Sequence, residues 1–198
     1  MRRSRFGGNV SRHVRCFVAL DLPLAVCRHL ANVTQPLHGR FDVKWVPPEH
    51  MHATLVFAGD LPGDAVDEMI DIVQALPMPR LELHLESLGH FPPRGIPRVL
   101  WAGLGGDVKA LMDLQADLEA RLEPLGVARE KRGYTPHLTL GRVRSNFGAF
   151  ALADEMRKVG DSLNRKPFAP EALVLYDSEL LPQGPTYTVL VERLLPQD

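Results

Sequence analysis

Two histidines in this chain are each followed, two residues on, by a threonine and then a leucine. The first lies in EHMHATLVF, as His52, Thr54 and Leu55; the second lies in PHLTLGR, as His137, Thr139 and Leu140. An imidazole has an unperturbed pKa of about 6.5, so a pair near neutrality can hold one neutral base and one protonated acid. A hydroxyl two residues away can donate a hydrogen bond to an anionic oxygen. One such tetrad is commonplace. Two in the same order within one chain favour a shared site over two separate structural histidines.

Both stretches read as strands, and side chains two apart on a strand share a face. His52 and Thr54 then point one way, while Ala53, Leu55 and Phe57 point the other. In the second stretch His137 and Thr139 share a face with Gly141, and Leu138 and Leu140 face away. Each strand thus offers an apolar side to a core and a polar side carrying one imidazole and one hydroxyl. The chemistry that suits this set is phosphoester cleavage without metal. A neutral histidine takes a proton from water, and a protonated one gives a proton to the leaving oxygen across phosphorus. The threonines can donate to non-bridging oxygens, and an arginine would strengthen that grip.

Periodicity supplies the elements that must position these residues. Val14–Leu20 is an apolar run with β-branched and aromatic content, a buried strand. Pro23 opens a helix with its stripe on Val26, Leu30, Val33 and Leu37. Asp42–Val46 and Met51–Phe57 read as two strands joined through Pro47-Pro48, and Pro62-Gly63-Asp64 opens a second helix. The alternation from Leu81 to Glu86 predicts a half-solvated strand, Arg98–Leu104 another, and Gly105-Gly106-Asp107 the entry to a long helix. His137–Val143 is a strand, 147–160 is helical, and Leu173–Tyr176 and Tyr187–Leu194 close the chain as strands around a turn near Gly184. Short strands mixed with three or four helices mean α+β or α/β, with antiparallel pairing favoured by the half-solvated strand and the final hairpin. One motif falls in each half, which suggests two similar lobes facing each other.

The 198 residues and 22.0 kDa suit one domain or two small lobes, with enough apolar content for a sizeable core. A formal charge of −1 and a pI near 6.7 exclude a globally basic nucleic-acid surface, so any attraction for phosphate must be local. Cys16 and Cys27 form no CxxC pair, which fits a reducing compartment and gives no sign of a zinc knuckle. No apolar run reaches membrane-span length, and the basic start MRRSRFGGNVSRH lacks the apolar core of a secretory signal. Residues 1–13 are expected to be a disordered basic tail, 14–195 a single domain, and the cytoplasm its location.

Several other groupings resemble sites and read better as structure. WAGLGGDVKAL has a strand, a glycine cluster and a helix, but Val108 breaks the dinucleotide pattern G-x-G-x-x-G. It reads as a tight turn. His50 and His52 could form a two-histidine metal arm, but no cysteine or carboxylate cluster completes a ligand set. His13, His29, His38, His84 and His90 have surface readings, and Arg129-Glu-Lys-Arg132 reads as a solvated loop.

HATL at 52–55 and HLTL at 137–140 resemble the two HxTx motifs of the 2H phosphoesterase superfamily. FVALDLP at 17–23, WVPPEHMHATLVFAGDLP at 45–62, PRVLWAGL at 97–104 and PHLTLGRVR at 136–144 are similar to the RNA 2′,3′-cyclic phosphodiesterases, also called 2′-5′ RNA ligases. The resemblance runs from about Val14 to Leu195. It implies an α+β fold of two similar lobes, with mainly antiparallel sheets facing a central groove and helices outside. It implies metal-independent, cofactor-free hydrolysis of an RNA or nucleoside 2′,3′-cyclic phosphate to a 2′-phosphate end. His52 would be the proton donor to the 3′ oxygen and His137 the proton acceptor from water. Thr54, Thr139 and Arg142 would bind the phosphate. Arg142 stands an odd number of steps from His137, so it reaches the groove only where the strand bends, and Gly141 supplies the place. Ala53 replaces the larger apolar residue usual in the first motif, a change of packing rather than chemistry.

The partners implied are RNA ends or nucleotides carrying a cyclic phosphate, met by a monomer with no membrane attachment. Reverse 2′-5′ joining of RNA ends uses the same chemistry. A non-catalytic nucleotide- or RNA-binding module on the same fold is the alternative, although binding alone needs no acid–base pair. A metal-dependent nuclease is disfavoured by the shortage of convergent carboxylates.

Overall fold

The protein is described by a computed structural model covering residues 13–130, 133–182 and 184–196. The expected tail at 1–13 lies outside the described residues, apart from His13, which opens the first strand. The elements run β1 (His13–Asp21), α1 (Leu24–Thr34), β2 (Val43–Trp45), β3 (Ala53–Pro62), α2 (Gly63–Ala75), β4 (Leu83–Phe91) and β5 (Val99–Gly106). They continue with α3 (Val108–Leu122), β6 (His137–Val143), α4 (Ala149–Val159), β7 (Ala172–Leu181) and β8 (Gly184–Leu194). The apolar run in β1 is buried from Cys16 to Leu20, as a strand covered on both faces requires. Pro23 caps α1 in an extended conformation (φ −51°, ψ 128°) and has no N–H to leave unpaired. The final hairpin is longer than its apolar segments predict. Asp177, Ser178 and Glu179 pair across to Thr188, Tyr187 and Thr186, because ladder hydrogen bonds do not need apolar side chains.

The strands form two four-stranded antiparallel sheets, ordered β3-β1-β7-β8 and β2-β6-β5-β4. This is the α+β, two-sheet architecture expected. The sheets do not each take one half of the chain. β4 crosses to pair with β5, and β7 returns to pair with β1. The two halves of the sequence therefore exchange strands, and ladder hydrogen bonds tie them together within each sheet. The strands expected at 42–46 and 51–57 both form, but in different sheets: β2 borders β6, β3 borders β1, and the 3₁₀ turn Pro48–His50 carries the chain between them. α2 packs on β1, β3, β7 and β8, and α4 packs on β4.

The glycine cluster before α3 is a packed turn, as its broken pattern predicts. Gly106 has φ +94°, and a Cβ there would lie 2.3 Å from the Glu82 carbonyl oxygen. The Asp107 carboxylate accepts the Glu82 N–H at 2.9 Å. Both cysteines are buried and unpaired, and burial pushes their thiols up to about 12 for Cys16 and about 11 for Cys27. No helix among the described residues is long and apolar enough to cross a membrane.

Candidate active site

A β-bulge occupies the same place in both motif strands. In β3, Ala19 pairs with Thr54 and Val18 with Val56, so Leu55 is the extra residue. In β6, Trp101 pairs with Thr139 and Leu100 with Gly141, so Leu140 is the extra residue. These are the leucines that close the two His-x-Thr-Leu tetrads. An extra residue leaves its carbonyl without a ladder partner, and each finds another. The Val46 N–H donates to the Leu140 oxygen at 2.8 Å, and the buried Gln115 amide of α3 reaches the Leu55 oxygen at 3.5 Å.

The bulge inverts the side-chain alternation downstream and corrects two expectations. Simple alternation predicts Phe57 in the core, but Leu55 and Val56 are both buried and Phe57 is 50% exposed. It also predicts Gly141 beside Thr139, but Gly141 is buried against β2, where a Cβ would lie 2.7 Å from Val43 Cγ1. The same inversion brings Arg142 onto the face of Thr139. The bend that Arg142 needs is therefore real, and its source is the extra Leu140 ahead of Gly141. In register, Phe57 opposite Phe17 is the counterpart of Arg142 opposite Val99.

Between the sheets lies a cleft of about 740 Å³. Its lining takes His52 and Thr54 from the first motif and Thr139 and Arg142 from the second. His137 is not part of that lining; it stands two residues before Thr139 on the same face of β6, ahead of the bulge. Among the described residues, three permanent cations line the cleft, Arg15, Lys44 and Arg142, and no aspartate or glutamate does. Arg142 is near enough to Tyr187 for its charge to oppose the rise that burial causes in that phenol's pKa.

Each imidazole is held by aromatic packing and one backbone carbonyl. His52 stacks on Phe17 with ring centroids 4.9 Å apart, and the edge of Tyr187 meets it at 5.5 Å. Phe17 is backed by Tyr176, whose hydroxyl donates to Asp21 at 2.6 Å. His137 packs edge-on against Phe91 at 5.1 Å and Trp101 at 6.4 Å. Gly89 makes room for that indole, since a Cβ there would lie 2.3 Å from Trp101 Cζ2. His137 Nδ1 lies 2.6 Å from the Thr135 carbonyl, and His52 bonds the His50 carbonyl. A carbonyl only accepts, so in each ring the bonded nitrogen carries hydrogen and the other is left for proton transfer.

Burial sets the charge of both rings. It lowers His52 to about 4, partly offset by the bond to the His50 carbonyl, and lowers His137 below 6.5, partly offset by the Thr135 carbonyl. In the ligand-free protein the surroundings of both rings favour the neutral form, so the protonated member of the pair has to be stabilised by what the cleft binds.

The remaining candidates have ordinary partners. Asn164 N–H donates to His29 Nε2 at 2.9 Å, His38 stacks on Trp45 at 4.5 Å, and His84 meets Glu86 at 2.8 Å. Arg129 pairs with Glu123 at 2.7 Å, while Lys131 and Arg132 lie outside the described residues. Among the described residues, no three His, Cys, Asp or Glu side chains come together as a metal site. Sequence reasoning passed over Arg15, Phe17, Lys44 and Tyr187. Arg15 carried a signal, as a cation inside an otherwise apolar strand.

Comparison with known proteins gives one consistent answer. An RNA 2′,3′-cyclic phosphodiesterase of Methanocaldococcus jannaschii is 29% identical over 90% of this chain and 99% of its own length. One of Aeropyrum pernix is 31% identical over 78% of this chain and 88% of its own. A crystal structure of a Thermus thermophilus protein superposes with a TM-score of 0.75 at 26% identity, covering 91% of this chain and 97% of that one. Escherichia coli LigT complexed with 3′-AMP shares the fold, with a TM-score of 0.73 at 21% identity over 93% and 99% of the two chains. The pattern of the LigT-like phosphoesterases matches at residues 20–101 and again at 106–187, one copy around each His-x-Thr motif, and on that match the chain belongs to the LigT-like phosphoesterase family.

Proposed function

We propose that this protein hydrolyses the 2′,3′-cyclic phosphate at RNA or nucleotide ends to a 2′-phosphate, using two histidines and no metal. The observation that carries the reading is the bulge in β6: it brings Arg142 beside Thr139 in the cleft that His52 and Thr54 also line. Curated relatives across most of the chain carry the name of that activity. In the proposed reaction the free nitrogen of His137 takes a proton from water as the water oxygen attacks phosphorus. The bond from phosphorus to the 3′ oxygen breaks, and His52 delivers its proton to that oxygen. Thr54 and Thr139 donate to non-bridging oxygens, and Arg142 clamps the phosphate with its forked N–H groups. The protein acts as one bilobal domain over 14–195, as a monomer and in the cytoplasm, where buried reduced cysteines such as Cys16 and Cys27 are at home.

Incubation of a nucleoside 2′,3′-cyclic phosphate with the protein in EDTA, followed by phosphorus NMR, tests this. A 2′-phosphate is expected. A 3′-phosphate, or turnover that EDTA abolishes, contradicts the mechanism.

The lowered pKa values give the pH dependence its sign. The reactive form needs His52 protonated and His137 neutral. Burial lowers His137 and brings His52 down to about 4, so through neutrality His137 is in its reactive neutral form and the protonated form of His52 is the scarce one. Through that range the reactive form declines about tenfold per pH unit, following the loss of the His52 proton. The anionic substrate favours the imidazolium, so binding takes up a proton. A profile of kcat/KM falling steadily from about pH 6.5 to 8 is expected. One that stays level across that range would remove His52 from the acid role.

A further inference from the structure

Two tyrosines belong to the ring cluster that holds His52, and their hydroxyls are used differently. The Tyr176 hydroxyl donates to the Asp21 carboxylate at 2.6 Å. Tyr187 lines the cleft, and among the described residues its hydroxyl has no hydrogen-bond partner. The phenol ring itself is firmly held. It meets Phe17 at 5.2 Å, His50 at 5.4 Å, His52 at 5.5 Å and Tyr176 at 5.9 Å between centroids. A partly buried tyrosine normally finds a partner for its O–H. Here the open side of that O–H is the cleft, so the partner to look for is a ligand.

Its surroundings say which part of a ligand it would meet. Tyr187 belongs to β8 in one sheet and Arg142 to β6 in the other, yet the Arg142 charge acts on the phenol across the cleft. Thr54 and Thr139 line the same space. A phosphate gripped by Arg142 and both threonines therefore has Tyr187 as a neighbour. A cyclic phosphodiester shares one negative charge between two non-bridging oxygens. As water attacks and its proton passes to His137, those oxygens take up a second charge. They hold it until the 3′ oxygen leaves with the proton of His52. A donor fixed in place beforehand stabilises that moment more than it tightens substrate binding. Burial holds the Tyr187 pKa above the ordinary phenol value, so the hydroxyl keeps its hydrogen at any pH where the histidine pair works.

We propose that Tyr187 is a further catalytic residue, whose hydroxyl donates to a non-bridging phosphate oxygen from β8 while Arg142 holds the phosphate from β6. The inference rests on the cyclic phosphodiesterase reading and adds a donor that neither His-x-Thr motif supplies. Tyr187→Phe tests it, because the ring stays against His52 and only the hydroxyl is lost. Four quantities are compared with wild type: turnover of a nucleoside 2′,3′-cyclic phosphate, its pH profile, the affinity for inorganic phosphate, and the thermal melt.

In Tyr187→Phe, kcat should fall about tenfold or more, as for loss of a hydrogen bond to a charged group. Phosphate affinity should fall several-fold, with the melt unchanged and the pH profile lowered but of the same shape. A ring that serves only to pack His52 would give the opposite pattern. Unchanged kcat and phosphate affinity would overturn the proposal, and so would a profile of altered shape with phosphate affinity intact. Should the variant melt early, the wild-type protein labelled with carbon-13 tyrosine answers the same question. Inorganic phosphate should shift the Tyr187 Cζ resonance, and a resonance that stays in place as phosphate binds would overturn the contact. No wild-type turnover of the cyclic phosphate would overturn the phosphodiesterase reading, and the catalytic role of Tyr187 with it.

Discussion

Replacing His52 or His137 by alanine lowers turnover of a 2′,3′-cyclic phosphate by at least about 100-fold, since each removes one half of a proton-transfer pair. The two losses should not multiply. A base without an acid, or an acid without a base, leaves the same phosphate-binding cleft, so the double variant should be little worse than either single one. Circular dichroism and a thermal melt must accompany the kinetics, because His52 is stacked on Phe17 and its removal opens a gap in that packing. His52→Gln keeps most of the volume without the titrating ring, and His137→Gln does the same beside Phe91. If either folded glutamine variant turns over at close to the wild-type rate, the assigned roles are wrong.

Arg142→Ala lowers kcat/KM by roughly 10- to 100-fold, the loss expected when a charged hydrogen-bond donor to phosphate is removed. Arg142→Lys should recover only part of it. A lysine supplies the charge, but as a single point rather than a fork matched to two phosphate oxygens. The comparison is informative because Lys44 pairs with Arg142 across β2 and β6 and also lines the cleft. If positive charge alone were needed, Lys44 would cover for Arg142 and the alanine variant would be nearly as active as wild type. That result would remove Arg142 from the binding role.

The chemistry of this site was largely readable from residue order. His-x-Thr on a strand puts an imidazole and a hydroxyl on one face whatever the strand pairs with, because the alternation is a local property of the backbone. The helices too were local in origin. Val66, Met69, Ile70 and Val73 mark the buried side of α2 by spacing alone, and Pro23 and Pro62 mark helix starts because a residue without an N–H costs nothing there. The glycines at 105 and 106 could be read as a turn, since the phosphate-binding pattern was broken at Val108.

Other features came from contacts distant in the chain. Nothing within PHLTLGR says that Leu140 is the residue left without a partner. That depends on β5 lying alongside in the register that pairs Thr139 with Trp101 and Gly141 with Leu100, and on Val46 arriving to take the freed carbonyl. The position of Arg142 beside Thr139 and the exposure of Phe57 both follow from such bulges. The exchange of β4 and β7 between the halves is likewise invisible to periodicity, because an edge accepts any strand that satisfies its hydrogen bonds and covers its apolar face. Residue types alone also assigned both histidines an ordinary pKa. Packing against Phe17 and Tyr187 on one side, and Phe91 and Trp101 on the other, took both rings out of water and lowered both pKa values. Local spacing named the groups that do the chemistry; their facing, their charge and their neighbours were decided by burial and strand pairing, which only the folded chain brings about.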